Sequence, residues 1–290
     1  MNESAEEHRR GGTEMSKEFD SGPSLPISSP FDAPAQPGSQ TVAQPRCVTV
    51  AGIPIANLSE DEAVALIDTL VSEGRPHYGA VVNAAKLAGA HRDEHLKRVL
   101  LEADLVTADG MSVVWASRLF GRALKERVTG IDLFERLVEH AADRGLSLYF
   151  LGARDESVRQ TVELFAIRHP KLRVAGYRNG YFATSDSGAV ADAIKLTNAD
   201  LLFVAMGSPA QEYWIALNLV RTGVRFALGV GGSFDHVSGR VARAPRWMQR
   251  FGLEWLHRLI HEPRRLWKRY LVGNLRFMWL VAKQFFSGER

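Results

Sequence analysis

The sequence has a single cysteine and no long hydrophobic run. Cys47, alone among 290 residues, excludes an internal disulfide framework and fits a reducing compartment, where we expect its thiol to be packed and inert. The most apolar stretch near the C-terminus, 277–282, is far shorter than the roughly 20 residues that cross a bilayer. Residues 1–46 are rich in proline and lack the apolar core of a signal peptide. We therefore expect a disordered extension over residues 1–46 and no secretory or membrane-spanning segment.

Several cofactor and metal motifs are also missing. The sequence has no Asp-x-Asp pair, and its nine histidines form no close-spaced ligand set with the cysteine. It has no P-loop, and the turn that begins Gly229-Val230-Gly231 has Phe234 where a dinucleotide-binding fingerprint needs its third glycine. We therefore expect neither a bound metal nor a cofactor. Arginines and helix ends would then have to neutralise the negative charge of any anionic ligand.

The positive charge of the chain is concentrated at the C-terminus. The net charge of +3 divides into +7 for residues 246–290 and −4 for residues 1–245. The basic segment also contains four of the six tryptophans, and cations beside indole rings suit an anionic bilayer surface. A pair of packed amphipathic helices with a solvated basic face is the alternative. Nucleic acid is disfavoured because the acidic remainder offers no extended basic track.

From Cys47 onwards, short apolar runs alternate with amphipathic stretches. Such runs are typical of buried parallel strands, and the stretches between them of crossover helices. We predict an α/β fold with a Rossmann-like, mostly parallel sheet covered by helices on both faces, plus a basic helical C-terminal appendage. The α/β core is predicted over 47–245 and the appendage over 246–290. Within the core we predict a hairpin at its start, a capping box of Ser59 and Glu62, and one helix over Ala85–Leu101.

Polar residues follow the predicted strands at the end where parallel sheets bind ligands. Asn83 follows one strand, Asp109 the next, and Arg127 comes after the following helix. A carboxylate at a strand end can take a proton from a bound hydroxyl, and an arginine can neutralise an anionic leaving group, so this set suggests group transfer. Simpler roles stay open, with Asn83 or Asp109 as a helix N-cap and Arg127 in a surface ion pair with the neighbours of Glu126. Lys86 is expected to be solvated.

Glycine-rich turns follow the remaining strands. Backbone amides at such turns suit phosphate oxygens, tyrosines beside them can stack on a base, and an aspartate can hold ribose hydroxyls. Most glycine turns are only turns, and most aromatic residues near strands are core. The candidate nucleotide-sugar residues are Gly152, Tyr181, Gln211, Gly231 and Asp235.

Taken in order, these segments resemble the WecG/TagA/CpsF glycosyltransferases over about residues 47–271. The resemblance rests on six motifs: Val81-Val82-Asn83, Ala108-Asp109-Gly110, Arg127 ahead of Thr129-Gly130-Ile131-Asp132, Gly180-Tyr181-Phe182, Gly207-Ser208-Pro209 with Gln211-Glu212, and Gly229-Val230-Gly231 through Asp235. It implies a metal-independent, inverting transfer of a hexose or hexosamine derivative from a UDP-sugar to a sugar linked to undecaprenyl diphosphate, in synthesis of surface polysaccharides.

The resemblance also assigns roles to residues. It implies that Asp109 is the general base on the acceptor hydroxyl and that Asn83 and Arg127 line the same pocket. Residues of the tail would reach the acceptor diphosphate when the protein docks, as a peripheral protein, on the inner face of the bacterial plasma membrane; the candidates are Arg258, Arg264, Arg265 and Lys268. Val81 departs from relatives that have Thr at this position, so a hydroxyl contact is lost or supplied elsewhere.

The donor sugar and the subunit count stay open. UDP-glucose and UDP-N-acetylmannosamine types are both compatible with the resemblance, with a slight lean towards an exopolysaccharide glucosyltransferase, and a homo-oligomer is compatible with the sequence. Two other classes use parts of the same pattern. A dinucleotide-binding α/β oxidoreductase would share the sheet, and a non-catalytic peripheral membrane adaptor would need only the tail.

Overall fold

The computed structural model describes residues 45–250, 252–261 and 263–287. The prediction of disorder for residues 1–46 falls almost wholly outside these ranges. The first two strands, β1 (Cys47–Val50) and β2 (Ile53–Ala56), pair as the predicted antiparallel hairpin. Cys47 is exposed on β1, and its Sγ donates to the Pro45 carbonyl at 3.3 Å, so the prediction of a packed thiol is wrong. The cause is that Cys47 lies on the solvent side of a two-stranded ribbon whose alternate residues are buried.

The central sheet has six strands, and every pairing within it is parallel. The strands are β3 (His77–Val82), β4 (Leu105–Ala108), β5 (Ser147–Gly152), β6 (Arg173–Arg178), β7 (Leu201–Ala205) and β8 (Phe226–Gly229). Their order across the sheet is β4-β3-β8-β7-β5-β6. All strands except β6 at the edge are buried along their whole length, which is why their sequences are continuous apolar runs.

Helices cover both faces of this sheet, so the predicted fold class is confirmed. The helices are α1 (Glu60–Ser72), α2 (Ala84–Ala90), α3 (Glu94–Glu102), α4 (Met111–Leu119), α5 (Gly130–Arg144), α6 (Asp155–Arg168), α7 (Ser187–Lys195), α8 (Ala210–Thr222), α9 (Ser233–Val237), α10 (Arg246–Arg250), α11 (Glu254–His261) and α12 (Pro263–Ser287). Helices α1, α5, α6 and α9 pack on one face, and α2, α3, α4, α7 and α8 pack on the other.

Two local predictions for helices have different outcomes. The capping box of Ser59 and Glu62 at the start of α1 is confirmed. The single helix predicted over Ala85–Leu101 is wrong, because the chain breaks between α2 and α3. There the Asp93 carboxylate accepts hydrogen bonds from the amides of His95 and Leu96 and so begins a second helix. An N-cap of this kind satisfies amides that a continuous helix would have bonded to its own carbonyls.

Phenylalanine rings fill the core beneath α5. The Phe134 ring lies 4.7 Å from that of Phe203 and 5.5 Å from that of Phe234, measured between centroids. Phe234 is fully buried in this cluster. Position 234 therefore anchors α9 to the core, which explains physically why the glycine of a dinucleotide-binding fingerprint is absent there.

The connections reverse direction between β5 and β7. From β5 the chain moves outwards to β6 through α6, whereas from β7 it moves the opposite way to β8 through α8, on the other face. Such a switch point opens a crevice at the carboxyl ends of the strands. Adjacent strands are about 4.8 Å apart, so the end of β4 lies roughly 10 Å from the end of β8 and roughly 19 Å from that of β5. A ligand bound at this edge of the sheet can thus extend across several strands.

The last part of α12 is anchored on the core. Phe277, Leu280 and Val281 are buried. Beyond them, the Gln284 side chain accepts from the Ala51 amide and donates to the Thr49 carbonyl, both at 2.9 Å. This end of α12 therefore agrees with the packed-helix interpretation of the tail. None of the helices in the described ranges is long and apolar enough to span a membrane.

Candidate active site

Asn83 and Asp109 lie side by side at the ends of β3 and β4. The Asp109 amide donates to the Val82 carbonyl at 2.9 Å, which continues the pairing of the two strands by one residue. A Cβ added to Gly110 would lie 3.5 Å from the Asn83 Cβ. Both polar side chains are partly exposed. The two catalytic candidates that the sequence placed on neighbouring strands are thus in one place.

The two N-cap alternatives have opposite outcomes. Asn83 caps α2, because its Oδ1 accepts from the Lys86 amide at 3.0 Å. Asp109 does not cap α4; the N-cap is Gly110, and no side chain caps this helix. The Asp109 carboxylate therefore lies one residue ahead of the N-cap, near the positive end of the helix dipole.

Arg127 is paired with a residue of the C-terminal segment. Its Nη1 donates to Glu254 Oε2 at 2.5 Å, and both side chains are partly buried. Arg127 therefore does form an ion pair, but its partner is Glu254 and not a neighbour of Glu126. A second ion pair, with Arg243 Nη2 2.6 Å from Asp132 Oδ1, holds the last residues of the core, just before that segment, to the start of α5. The segment that follows the core is thus fastened beside the acceptor-side candidates.

The same segment passes directly over the start of α4. A Cβ at Gly252 would lie 2.6 Å from the Met111 Cβ and 3.7 Å from the Trp115 ring. Met111 is two residues after Asp109. The appendage and the candidate base therefore form neighbouring parts of one surface.

Glycine turns follow two of the strands at the carboxyl edge of the sheet. Gly207, after β7, and Gly231, after β8, have φ values of +80° and +58°. A Cβ added to either would meet nothing within 4 Å. Their backbones are therefore exposed to an approaching ligand, as phosphate binding requires. Tyr181, beyond β6, is 52% exposed and can offer its ring to a base.

Gln211 is placed differently from the expectation of a direct contact with the nucleotide-sugar. It is 2% exposed. Its Nε2 donates to Glu212 Oε1 at 2.8 Å, and its Oε1 accepts from the Gly231 amide at 2.9 Å. Both ends of the amide are therefore committed inside the protein, and Gln211 supports the Gly231 turn from beneath.

Gly152 and Asp235 also have partners within the protein. A Cβ at Gly152 would lie 2.5 Å from the backbone of Ala205, so this glycine permits close packing of two strand ends. The Asp235 Oδ1 accepts from the Ser157 hydroxyl at 2.7 Å, which ties α9 to α6. Their predicted contacts with the nucleotide-sugar stay predictions, and the fold alone accounts for the identity of Gly152.

The basic candidates of the tail are only partly described. Arg258, Arg264, Arg265 and Lys268 belong to α11 and α12, and their side chains lie outside the described structure. The tail tryptophans are described: Trp247 is 58% exposed, Trp267 47% and Trp279 57%. Within the described ranges, no group of three His, Cys, Asp or Glu residues is arranged to hold a metal ion.

Comparison with known proteins gives the family of this chain. Residues 48–290 match the model of the glycosyl transferase WecG/TagA/CpsF family. The chain belongs to this family. It is therefore a glycosyltransferase, as the motif resemblance predicted. The matched residues include every candidate for the catalytic, nucleotide-sugar and acceptor-diphosphate sites.

Two similar proteins carry the same name, N-acetylglucosaminyldiphosphoundecaprenol N-acetyl-beta-D-mannosaminyltransferase. The protein of Bacillus spizizenii is 36% identical over 206 residues, which cover 69% of this chain and 79% of the relative. That of Bacillus subtilis is 36% identical over 192 residues, which cover 66% and 74%. Both relatives are thus similar to this glycosyltransferase over most of their own length.

Besides the Arg127–Glu254 pair, sequence reasoning missed the contact of Lys86 at the site of this glycosyltransferase. Lys86 is 6% exposed rather than solvated, and its Nζ lies 2.7 Å from Glu212 Oε1. The Gln211-Glu212 motif stands out in the sequence, but nothing in a linear pattern connects Glu212 to a lysine 126 residues earlier. The only local signal was the position of Lys86 one turn into a helix that is otherwise mostly apolar.

Proposed function

We propose that this glycosyltransferase moves a sugar from a UDP-sugar to a sugar linked to polyprenyl diphosphate. The observation that carries the proposal is the meeting of Asn83 and Asp109 at the same sheet edge as the open turns at Gly207 and Gly231. The relatives' names support the acceptor class, since they specify N-acetylglucosaminyldiphosphoundecaprenol. The same names favour N-acetylmannosamine over glucose as the donated sugar.

The proposed mechanism is a single displacement. The acceptor hydroxyl attacks the anomeric carbon of the donor, and the bond from that carbon to the diphosphate oxygen breaks with inversion. The hydroxyl proton passes to the Asp109 carboxylate, and UDP departs with the bonding electrons. General base help of this kind accelerates a reaction by roughly 100- to 10,000-fold.

The leaving diphosphate needs positive partners, and Arg127 is the candidate nearest to the acceptor side. Its guanidinium is paired with the Glu254 carboxylate, so a bound diphosphate would displace that carboxylate from Arg127. The turns at Gly207 and Gly231 would bind phosphate oxygens through backbone amides other than that of Gly231, which already donates to Gln211. No metal is part of this proposal.

The acceptor is a lipid, so we propose that the protein works as a peripheral protein on the cytoplasmic face of the plasma membrane. The support is a row of exposed apolar side chains on α12, which we term the α12 stripe. Its members are Trp267, Leu271, Leu275 and Met278, each at least 47% exposed. Their spacing places them along one side of the helix, opposite the buried Leu280. Such a stripe with interfacial tryptophan suits the headgroup region of a bilayer.

A donor panel tests the proposed reaction. The protein is incubated with UDP-N-acetylmannosamine, UDP-glucose and UDP-N-acetylglucosamine, each with a short-chain polyprenyl diphosphate N-acetylglucosamine, and the lipid product is weighed by mass spectrometry. We expect the mass of one added N-acetylmannosamine and release of UDP. No lipid product with any donor would contradict the proposal, and a product with glucose alone would correct the donor.

A further inference from the structure

A buried ion pair lies beneath the strand ends of the active site. Lys86 and Glu212 are 6% and 3% exposed, and Lys86 Nζ lies 2.7 Å from Glu212 Oε1. Lys86 Nζ also donates to the Val81 carbonyl at 2.6 Å. The lysine begins in the helix after β3, and the glutamate in the helix after β7. The pair therefore joins two strand ends on opposite sides of β8.

The arrangement is a poor one for stability alone. Lys86 Nζ and Gln211 Nε2 both donate to the same oxygen, Glu212 Oε1. The other oxygen, Oε2, is buried and has no hydrogen-bond partner in the described structure. A buried ion pair must offset the loss of hydration of both charges, and apolar residues of similar volume often serve a fold equally well. A half-satisfied pair beside a reaction site therefore indicates a function beyond holding the fold together.

The pair is the middle of a continuous polar chain across the site. At one end, the Gly231 amide donates to Gln211 Oε1 at 2.9 Å, and Gln211 Nε2 then donates to Glu212. At the other end, Lys86 holds the carbonyl of Val81. Glycine at position 229 leaves room for this polar chain, because a Cβ there would lie 2.5 Å from Gln211 Nε2 and would displace the Gln211 amide.

Each end of the polar chain controls one half of the site. Gly231 belongs to the open turn on the nucleotide side. Val81 precedes the strand end that carries Asn83, and the next carbonyl, of Val82, receives the Asp109 amide. Movement of either charged partner would therefore change the distance between the two halves.

Resting on the transfer reaction proposed above, we propose that Lys86 and Glu212 are positioning residues for catalysis. They fix the nucleotide-side turn relative to the strand end that carries Asn83 and adjoins Asp109, and they contact no substrate. Reacting atoms must approach within about 3 to 3.5 Å in the correct direction, and a misplacement of about 1 Å can lower the rate roughly 100-fold. Loss of the pair should therefore impair donor binding and turnover together.

Three variants separate positioning from stability. Lys86→Met leaves the carboxylate without its cation, and the double variant Lys86→Met/Glu212→Leu replaces the whole pair by apolar side chains. Asn218→Leu is the matched control, because Asn218 lies on the same helix as Glu212, is 3% exposed and donates to the Ser187 hydroxyl away from the strand ends. For each protein, we would measure Tm, UDP affinity by calorimetry, and kcat and KM for the UDP-sugar.

The positioning role predicts a separation of stability from activity. Lys86→Met should lower both Tm and kcat/KM, the latter roughly 10- to 100-fold. The double variant should regain most of the lost Tm, since no unpaired charge remains, yet keep the low kcat/KM and a weakened UDP affinity. Asn218→Leu should lower Tm while its kcat/KM stays within about twofold of that of the unmodified protein.

Two results would overturn the inference. One is a double variant with unchanged UDP affinity and unchanged kcat/KM. The other is an Asn218→Leu control that loses as much activity as Lys86→Met at the same Tm. Failure of the proposed reaction looks different, because the unmodified protein would then bind UDP without forming a lipid product. UDP affinity can be measured without transfer and still tests the nucleotide half of the inference.

Discussion

Gly229→Ala perturbs the buried polar chain by adding one methyl group. The new Cβ would lie 2.5 Å from Gln211 Nε2 and 3.0 Å from its Cδ, so the Gln211 amide must move. Overpacking of this kind lowers the free energy of unfolding by about 1 to 3 kcal/mol. The moved amide also leaves its partners at Glu212 and Gly231, and each unsatisfied buried group adds about 1 to 3 kcal/mol. With two such groups, we expect a total loss of about 3 to 9 kcal/mol.

Calorimetric melting measures this loss. A change of 1 kcal/mol shifts Tm by about 2 to 4 °C in a domain of this size, so Tm should fall by roughly 6 to 36 °C. Gly89→Ala is the control, because Gly89 lies in α2 and the nearest atom to its added Cβ is Leu96 Cδ2 at 3.8 Å. Alanine should leave Tm unchanged or raise it there. An unchanged Tm and donor KM for Gly229→Ala would refute the account of the polar chain.

Three further predictions concern the membrane stripe, the tail and pH. Leu271→Glu in the α12 stripe should weaken binding to anionic vesicles, measured by flotation, by about 10-fold or more, because burial of a Leu side chain contributes about 1.5 to 3 kcal/mol. Ile167→Glu, at a similarly exposed site on α6, is the control and should not weaken binding. Equal losses in the two variants would contradict the role of the stripe. Glu254→Gln should tighten UDP binding, measured by calorimetry, by up to about fivefold, since a partly exposed ion pair is worth roughly 1 kcal/mol. An unchanged affinity would show that Arg127 does not bind the diphosphate. Burial, and then the charge of a neighbouring aspartate, raise the pKa of Glu60 above its ordinary 4.5. The Glu60 carboxyl binds its proton more tightly in the folded protein than in the unfolded chain, so the stability it contributes is full below pH 4.5 and is lost as pH rises through the raised pKa. The Tm of Glu60→Gln minus that of the unmodified protein should therefore increase over this pH range. A constant difference would contradict the raised pKa.

The sheet and its ligand-binding edge were predictable because their signals are local. Runs such as Leu201–Ala205 are apolar on both faces, and only a parallel sheet covered twice buries them completely. Once the strands are parallel, the residues after them must share one edge, and this is why the sequence alone places Asn83 and Asp109 together.

The partners of the site residues were not predictable, because they depend on distant sequence. Arg127 meets Glu254 and Lys86 meets Glu212, each across more than 120 residues. A lysine one turn into a helix is normally exposed, but α2 is covered by α12, where a Cβ at Gly273 would lie 3.3 Å from the Ala85 Cβ, and the Lys86 side chain is buried against Glu212 of α8. Asp109 does not cap α4 for another reason: its amide continues the strand pairing with β3, so the N-cap is the next residue, Gly110, and the helix begins at Met111.

The most direct test of the proposed reaction is the transfer rate of Asp109→Asn. The amide keeps the size of the side chain but cannot take the acceptor proton, and no side-chain cap of α4 is lost. We predict a fall in transfer from UDP-N-acetylmannosamine of roughly 100- to 10,000-fold, with Tm and UDP affinity unchanged. Transfer at a near-normal rate by this variant would contradict the role of Asp109 and with it the mechanism.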